Sequence, residues 1–242
     1  MATHRIALVT GANKGIGFEI AKQLAEAGTT VLLGARDQAR GQAAVETLAG
    51  QGLDVSLLIL ETTDQDSIAV AAKTIEAEHG HLDILVNNVG IYDGADSVPS
   101  KTSIAVVRDT METNFIGTLA VTQALLPLLS KSEAGRIVNL SSTLGSITCN
   151  GDPKSAFYAA QAIGYNASKA ALNMLTVQLA QELRDSNIIV TSVCPGFVKT
   201  DLSSNMGNVM PDEAAKTPVR YALCGDDVVS GRFVDKDGEV PW

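Results

Sequence analysis

Tyr165 and Lys169 stand four positions apart at the start of a helix-length stretch, so on a helix both side chains project from one face. A phenol ordinarily ionises near pH ~10, too high for efficient acid–base work at neutrality. An ammonium beside it favours the phenolate, lowers that value and improves the match to operating pH. As a bare pattern, Tyr-x-x-x-Lys also describes a solvated helix face. Tyr158 is an internal contrast: four positions on stands Ala162, so that tyrosine lacks the partner. Upstream, Asn139-Leu140-Ser141-Ser142 ends a strand and is followed by Gly145. A hydroxyl there can donate to a substrate oxygen beside the tyrosine. Asn114 is a polar residue amid apolar neighbours in a long helical stretch, the pattern of a satisfied internal amide or of a site residue. No Gly-x-Ser-x-Gly elbow surrounds either serine, which leaves a hydrolase little support.

A second group of residues suits an anionic ligand. Thr10-Gly11-Ala12-Asn13-Lys14-Gly15-Ile16-Gly17 follows the first strand and opens a helix. Gly11, Gly15 and Gly17 let the backbone turn sharply and approach a pyrophosphate, which a helix N-terminus favours electrostatically. Glycine spacing alone is a weak signal; the strand before and the helix after turn it toward a dinucleotide. The second strand ends in Ala35-Arg36, where an NAD site usually carries a carboxylate for the ribose 2′-hydroxyl. Here no acid precedes Arg36, and Lys14 faces it from the glycine-rich turn. Two cations on one edge of an adenosine pocket suit a 2′-phosphate.

These residues need a frame, and the pattern supplies one. Strands are expected over 6–10, 30–34, 55–60, 84–87, 136–140, 188–193 and 231–234, with helices over 15–27, 38–48, 65–78, 104–129 and 165–184 between them. Thr63 and Asp64 are possible N-caps of the third helix. Strands that are apolar on both faces imply a parallel sheet covered on each side. Right-handed crossovers then give a single-domain α/β Rossmann fold, a doubly wound sheet of about seven strands with its site at the strands' carboxyl ends. Within it, 1–145 would serve mainly the cofactor, 146–164 would lie beside the active site, and 165–242 would carry the catalytic helix and a substrate loop.

Bulk properties narrow the classes. The 242 residues suit one large domain, 45% hydrophobic and 19% charged. No segment reaches the ~18 uninterrupted apolar residues of a membrane span, and the first residues do not read as a signal peptide. Three widely spaced cysteines, Cys149, Cys194 and Cys224, favour a reducing compartment, and hence the cytoplasm, over a disulfide scaffold or zinc site. His4, His79 and His81 form no ligand cluster, so no metal is expected. A formal net charge of −9 argues against nucleic-acid binding, so an anionic cofactor must be held by a few local donors and cations.

Taken in order, these residues resemble the short-chain dehydrogenase/reductase family over nearly the whole chain. The glycine-rich turn, Asn87-Asn88-Val89-Gly90, Asn114, Ser142, Tyr165, Lys169 and Cys194-Pro195-Gly196 with Val198 and Thr200 match its sequence of motifs. Within the family, Asn13-Lys14, Arg36-Asp37 and the ending near Trp242 are most similar to the NADPH-dependent carbonyl reductases. The resemblance implies reversible hydride transfer between NADP(H) and a ketone, aldehyde or secondary alcohol. Tyr165 would protonate the carbonyl oxygen, and Ser142 would orient it. Lys169 would lower the tyrosine's pKa and bond the nicotinamide ribose, while Asn114 would hold a water leading to solvent. Gly11, Asn13, Lys14, Gly15, Ile16, Gly17, Arg36, Glu61, Thr62, Asn88, Gly90, Pro195, Gly196, Val198 and Thr200 would border the cofactor. Ile91, Tyr92, Phe157, Phe197 and Met206 are candidate walls for an uncharged carbonyl substrate.

Three departures from the family pattern stand out. Glu61 replaces an aspartate near the adenine, Val89 replaces an alanine beside the cofactor, and Ser142 and Tyr165 are separated by more than the common spacing. Segment 147–164 is thus an insertion, shorter than that of the animal carbonyl reductases, and Phe157 or Tyr158 is expected at the substrate. Relatives with the longer insertion cover the helices of Asn114 and Tyr165 and stay monomeric, so a homo-oligomer is expected here. The rival reading is a nucleotide-binding regulator without turnover. It has no need of Asn114, Ser142, Tyr165 and Lys169 together. An epimerase or dehydratase would carry an extended substrate domain.

Overall fold

The computed structural model describes residues 5–225 and 228–242; His4 lies outside them. Seven parallel strands form one sheet in the order β3-β2-β1-β4-β5-β6-β7. They are β1 (Ile6–Val9), β2 (Thr30–Ala35), β3 (Val55–Ile59), β4 (Ile84–Asn87), β5 (Gly135–Leu140), β6 (Ile188–Val193) and β7 (Arg232–Val234). Every residue of β1, β4 and β5 is buried, as a sheet covered on both faces requires.

Side chains alternate between two cores because successive strand residues point to opposite faces. Ala7, Val9, Val31, Leu33 and Val86 meet Ile20 and Leu24 of α1 (Gly15–Glu26), Val45 and Leu48 of α2 (Gln38–Ala49), and Ala215 and Ala222 of α8 (Pro211–Ala222). Leu8, Leu32, Leu85 and Ile137 face Ile68 and Ile75 of α3 (Gln65–His79), Val121 and Leu125 of α5 (Gly117–Leu129), and Leu179 of α7 (Ile163–Glu182). Truncating one such leucine to alanine costs about 2–5 kcal/mol. Asp64 caps α3, its carboxylate accepting from the backbone N–H of Asp66 and Ser67.

The expected architecture holds, with four corrections. The stretch 104–129 is not one α-helix: α4 (Ile104–Met111) passes through a π turn at Glu112–Ile116 into α5. That widened turn, common at functional sites, carries the fully buried Asn114. Helix α8 was not among the expected elements; Pro211 opens it and Pro218 sits buried within it. The insertion contains a short helix, α6 (Ile147–Gly151). Finally, α7 starts at Ile163, two residues before Tyr165. No helix among the described residues is long and apolar enough to cross a membrane.

Strand order reverses between β1 and β4. The turns leaving these strands diverge there, opening a crevice at their carboxyl ends where ligands of such folds bind.

Candidate active site

The crevice is a cleft of about 820 Å³. Its floor is the glycine-rich turn between β1 and α1, where Gly11 and Gly15 adopt left-handed φ of 62° and 60°, a conformation that favours glycine. A Cβ on Gly17 would lie 2.5 Å from Asn88 Nδ2 and 2.7 Å from the Gly11 carbonyl oxygen, so α1 reaches the sheet only with glycine there. Asn88 Nδ2 ties the turn down by donating to the carbonyls of Thr10 and Gly11 at 2.8 and 3.1 Å. Asn13, Lys14, Gly15 and Ile16 line the cleft beside it. The N–H groups opening α1 make this end a ready anion site.

Lys14 and Arg36 line this same cleft, as their positions predicted. Both carry acidic partners that the sequence did not announce. Lys14 Nζ donates to Asp201 at 2.5 Å, and Arg36 approaches Glu61 at 3.4 Å. Both pairs are largely solvated, where exposed pairs are worth only about 0–1 kcal/mol, so a phosphate can compete for the cations. A third cation, Arg40 in the first turn of α2, also lines the cleft; its place just after Arg36 was the available signal. Glu61 additionally accepts from the backbone and hydroxyl of Thr63, so its carboxylate is committed to its own turn. The Thr62 hydroxyl is buried, borders the cleft and has no hydrogen-bond partner among the described residues. The cradle under Gly17, the cations and this orphaned hydroxyl fit a dinucleotide phosphate.

On the far side, Thr200, Asp201, Leu202 and Asn205 close over the cleft. They belong to a lobe that folds back on itself: Phe197 accepts from the N–H groups of Asn208 and Val209, and Lys199 donates to Val209. The lobe buries Val198, and Val198 is absent from the cleft's lining. Pro195 borders a smaller neighbouring hollow instead. Gly196 supplies the turn, with a φ of 86°. Val89 stands against Gly11, whose added Cβ would meet its Cγ2 at 2.9 Å.

Of the four residues expected to carry chemistry, Lys169 and Asn114 lie beside Gly90, and Ser142 and Lys169 both neighbour Tyr165. Lys169 Nζ lies 5.7 Å from the centre of the Tyr165 ring, and the Ser142 hydroxyl is near enough to the phenol to favour its ionised form. A Cβ on Gly90 would be 3.4 Å from Lys169 Nζ and 3.5 Å from Asn114 Oδ1. Asn114 is fully committed: Oδ1 accepts from the Ile91 N–H at 2.8 Å, and Nδ2 donates to the Ile91 carbonyl and Ser168 Oγ at 3.0 Å each. Lys169 donates to the Leu140 carbonyl at 2.7 Å.

The net shift on Tyr165 runs opposite to the expected lowering. Burial pushes the phenol up to about 12, the neighbouring Cys194 adds to the rise, and the Ser142 hydroxyl offsets part of it. Burial also pushes the Lys169 ammonium down to about 8. The phenol is protonated at neutral pH, as an ordinary tyrosine is, and burial makes it a weaker acid than a free one. Phe157 and Tyr158 are exposed and absent from the cleft's lining. The aromatic neighbour of Tyr165 is Tyr92, edge-on with ring centres 5.6 Å apart.

Beneath the site a buried polar ladder crosses three strands. Asn87 donates to Asn139 at 2.9 Å, Asn139 to Thr176 at 2.8 Å, and Thr176 pairs with Ser192. Its members are satisfied by one another, which makes such burial tolerable and the strand ends rigid. No group of His, Cys, Asp and Glu among the described residues could hold a metal ion.

A parallel sheet with a glycine-rich crevice and an adjoining Ser, Tyr and Lys defines a dinucleotide-binding α/β protein. The sequence profile of the short chain dehydrogenases matches residues 5–210, and the chain belongs to that family. It is 35% identical to short-chain dehydrogenase/reductase 1 of Saponaria officinalis, covering all of this chain and 97% of that one. Identity to carbonyl reductase [NADPH] 1 of Bos taurus is 34%, over 98% of each chain. The crystal structure of NADPH-bound carbonyl reductase from chicken fatty liver superposes with a TM-score of 0.86 at 31% identity, covering 99% of both chains.

Proposed function

We propose that this protein is an NADPH-dependent carbonyl reductase in which Tyr165 is the general acid. The observation that carries the reading is the grouping of Ser142 and Lys169 about Tyr165, with Lys169 Nζ also next to Gly90, a glycine that borders the cofactor cleft. Likeness to carbonyl reductases named for NADPH supports it.

NADPH, when bound, supplies the hydride. The chain's own groups do the rest. Ser142 holds the carbonyl oxygen beside the phenol, and Tyr165, protonated at neutral pH, gives that oxygen its proton. Lys169 places a positive charge under the ring and stabilises the phenolate left behind. Asn114 fixes Ile91, and so the loop bordering the cleft. Lys14, Arg36 and Arg40 hold the 2′-phosphate edge of the adenosine. Apolar Ile91, Tyr92 and Leu202 around the cleft suit an uncharged ketone or aldehyde. The three cysteines are free thiols, which supports work in a reducing compartment such as the cytoplasm.

Cofactor choice tests the adenosine half of this reading. Charge-assisted contacts to phosphate contribute roughly 1.5–3 kcal/mol each before screening. Arg36→Asp should therefore cut the preference for NADPH over NADH about tenfold or reverse it. Steady-state kinetics with both cofactors checks this; equal use of the two by the unmutated enzyme contradicts it.

A further inference from the structure

The helix that carries Tyr165 lacks a cap of its own. Its N-cap residue, Ala162, has no side-chain oxygen to offer. The N–H groups opening an α-helix have no partner within it, and those of α7 begin in a largely buried setting. Three of them find an acceptor in a single distant dipeptide. Ile163 donates to the Ser97 carbonyl at 3.0 Å. Gly164 donates to Asp96 Oδ1 at 3.1 Å and Tyr165 to Asp96 Oδ2 at 2.8 Å.

Asp96 is 6% exposed. A carboxylate buried to that degree is costly unless hydrogen-bonded, and its partners are N–H and O–H groups, with Thr102 Oγ1 at 3.4 Å the third. A charged acceptor at a helix N-terminus is also favoured by the helix dipole. The fit is close: a Cβ on Gly164 would lie 3.1 Å from Asp96 Oδ2.

The loop that supplies Asp96 is the one that walls the cleft. Its start is clamped by Asn114 through both backbone groups of Ile91. Tyr92 follows, edge-on to the Tyr165 ring. The loop is thus fastened at one end to Asn114 and at the other to the backbone of Tyr165 itself. We propose that Asp96 is a positioning residue: its carboxylate locks the cleft-wall loop to the first turn of α7, fixing the distance between the Tyr165 hydroxyl and the substrate-facing wall. This rests on the reading of Tyr165 as the acid. A displacement near 1 Å at a reacting group can cost up to about a hundredfold in rate, so the lock matters to turnover beyond its contribution to the fold.

A local cap and a lock between elements can be told apart. Asp96→Asn keeps the shape but sets an N–H₂ group against one of the two backbone donors. It should lower kcat/KM for the carbonyl about tenfold and leave KM for NADPH within about twofold. Adding Ala162→Ser provides a local N-cap. The double variant should regain the melting temperature but not kcat/KM, and it keeps the test on a folded chain. Wild-type kcat/KM in Asp96→Asn, or recovery of turnover together with stability in the double variant, would overturn the proposal. Tyr165→Phe, run alongside, separates the two ideas. If it is inactive while Asp96→Asn is unimpaired, only the lock is wrong; if it is fully active, the acid assignment fails and the proposal falls with it.

Discussion

At the scale of single residues, the site separates what spacing can show from what only folding can assemble. The grouping of Tyr165, Lys169 and Ser142 was legible from their order among the other motifs, not from the Tyr-x-x-x-Lys spacing alone. The sign of the pKa shift on Tyr165 was not, because it depends on burial, which outweighs a lysine aimed at the Leu140 carbonyl rather than at the phenol oxygen. A rate profile follows from the two shifts. Reduction needs a proton on Tyr165 and a charge on Lys169. The phenol, raised to about 12, stays protonated across the working range, whereas the ammonium, lowered to about 8, loses its charge as pH rises through that value. With saturating NADPH, kcat/KM for a carbonyl should be level near neutrality and fall above about pH 8. A profile level to pH ~10, the ordinary lysine range, would show that Lys169 is not the titrating group. Asp96 could not be found from spacing, since its partner lies 69 positions away in helix α7.

At the scale of elements, hydrophobic pattern gave the strands and five of the helical stretches within a few residues. It failed where one residue type has two meanings. Pro211 marks the first turn of α8, where proline fits, and Pro218 lies inside it, where proline ordinarily disfavours a helix. A π turn likewise leaves no mark in the apolar period, although it is what lets Asn114 turn inward to Ile91. The junction of β1 and α1 makes the sharpest structural prediction. Gly17→Ala would force its Cβ into Asn88 and the Gly11 carbonyl, which are backbone or anchored groups. Either the turn shifts or Asn88 releases Thr10 and Gly11. NADPH affinity should fall at least about tenfold, and stability by roughly 1–3 kcal/mol. Fluorescence titration and urea unfolding measure the two; an unchanged Kd would mean the turn does not form the phosphate site.

For the whole molecule, the open question of assembly follows from what the insertion covers. Asn166 of α7 donates to Asn150 and to the Ala160 carbonyl, pinning the segment near the start of that helix. Farther along, Met174 is 55% exposed, and Ile104 and Ile116 on the adjoining α4 and π turn are 64% and 42% exposed. Apolar side chains on adjoining helices suit contact with a second copy, so light scattering behind a sizing column should give a mass above the 25.2 kDa of one chain. A monomer at micromolar concentration would rule this out. The fold itself was legible because alternation, crossover handedness and the position of the strand-order reversal leave few alternatives.

The central claim is that the Tyr165 hydroxyl delivers the proton. Its most direct measurement is turnover of NADPH with a reactive ketone by the unmutated protein and by Tyr165→Phe, with NADPH binding titrated for both. The variant keeps the ring that packs against Tyr92 and loses only the hydroxyl near Ser142. Turnover should drop by about 10²–10⁴-fold, the usual worth of a positioned acid, with the Kd for NADPH nearly unchanged. Full activity in Tyr165→Phe, with cofactor still bound, would contradict the account.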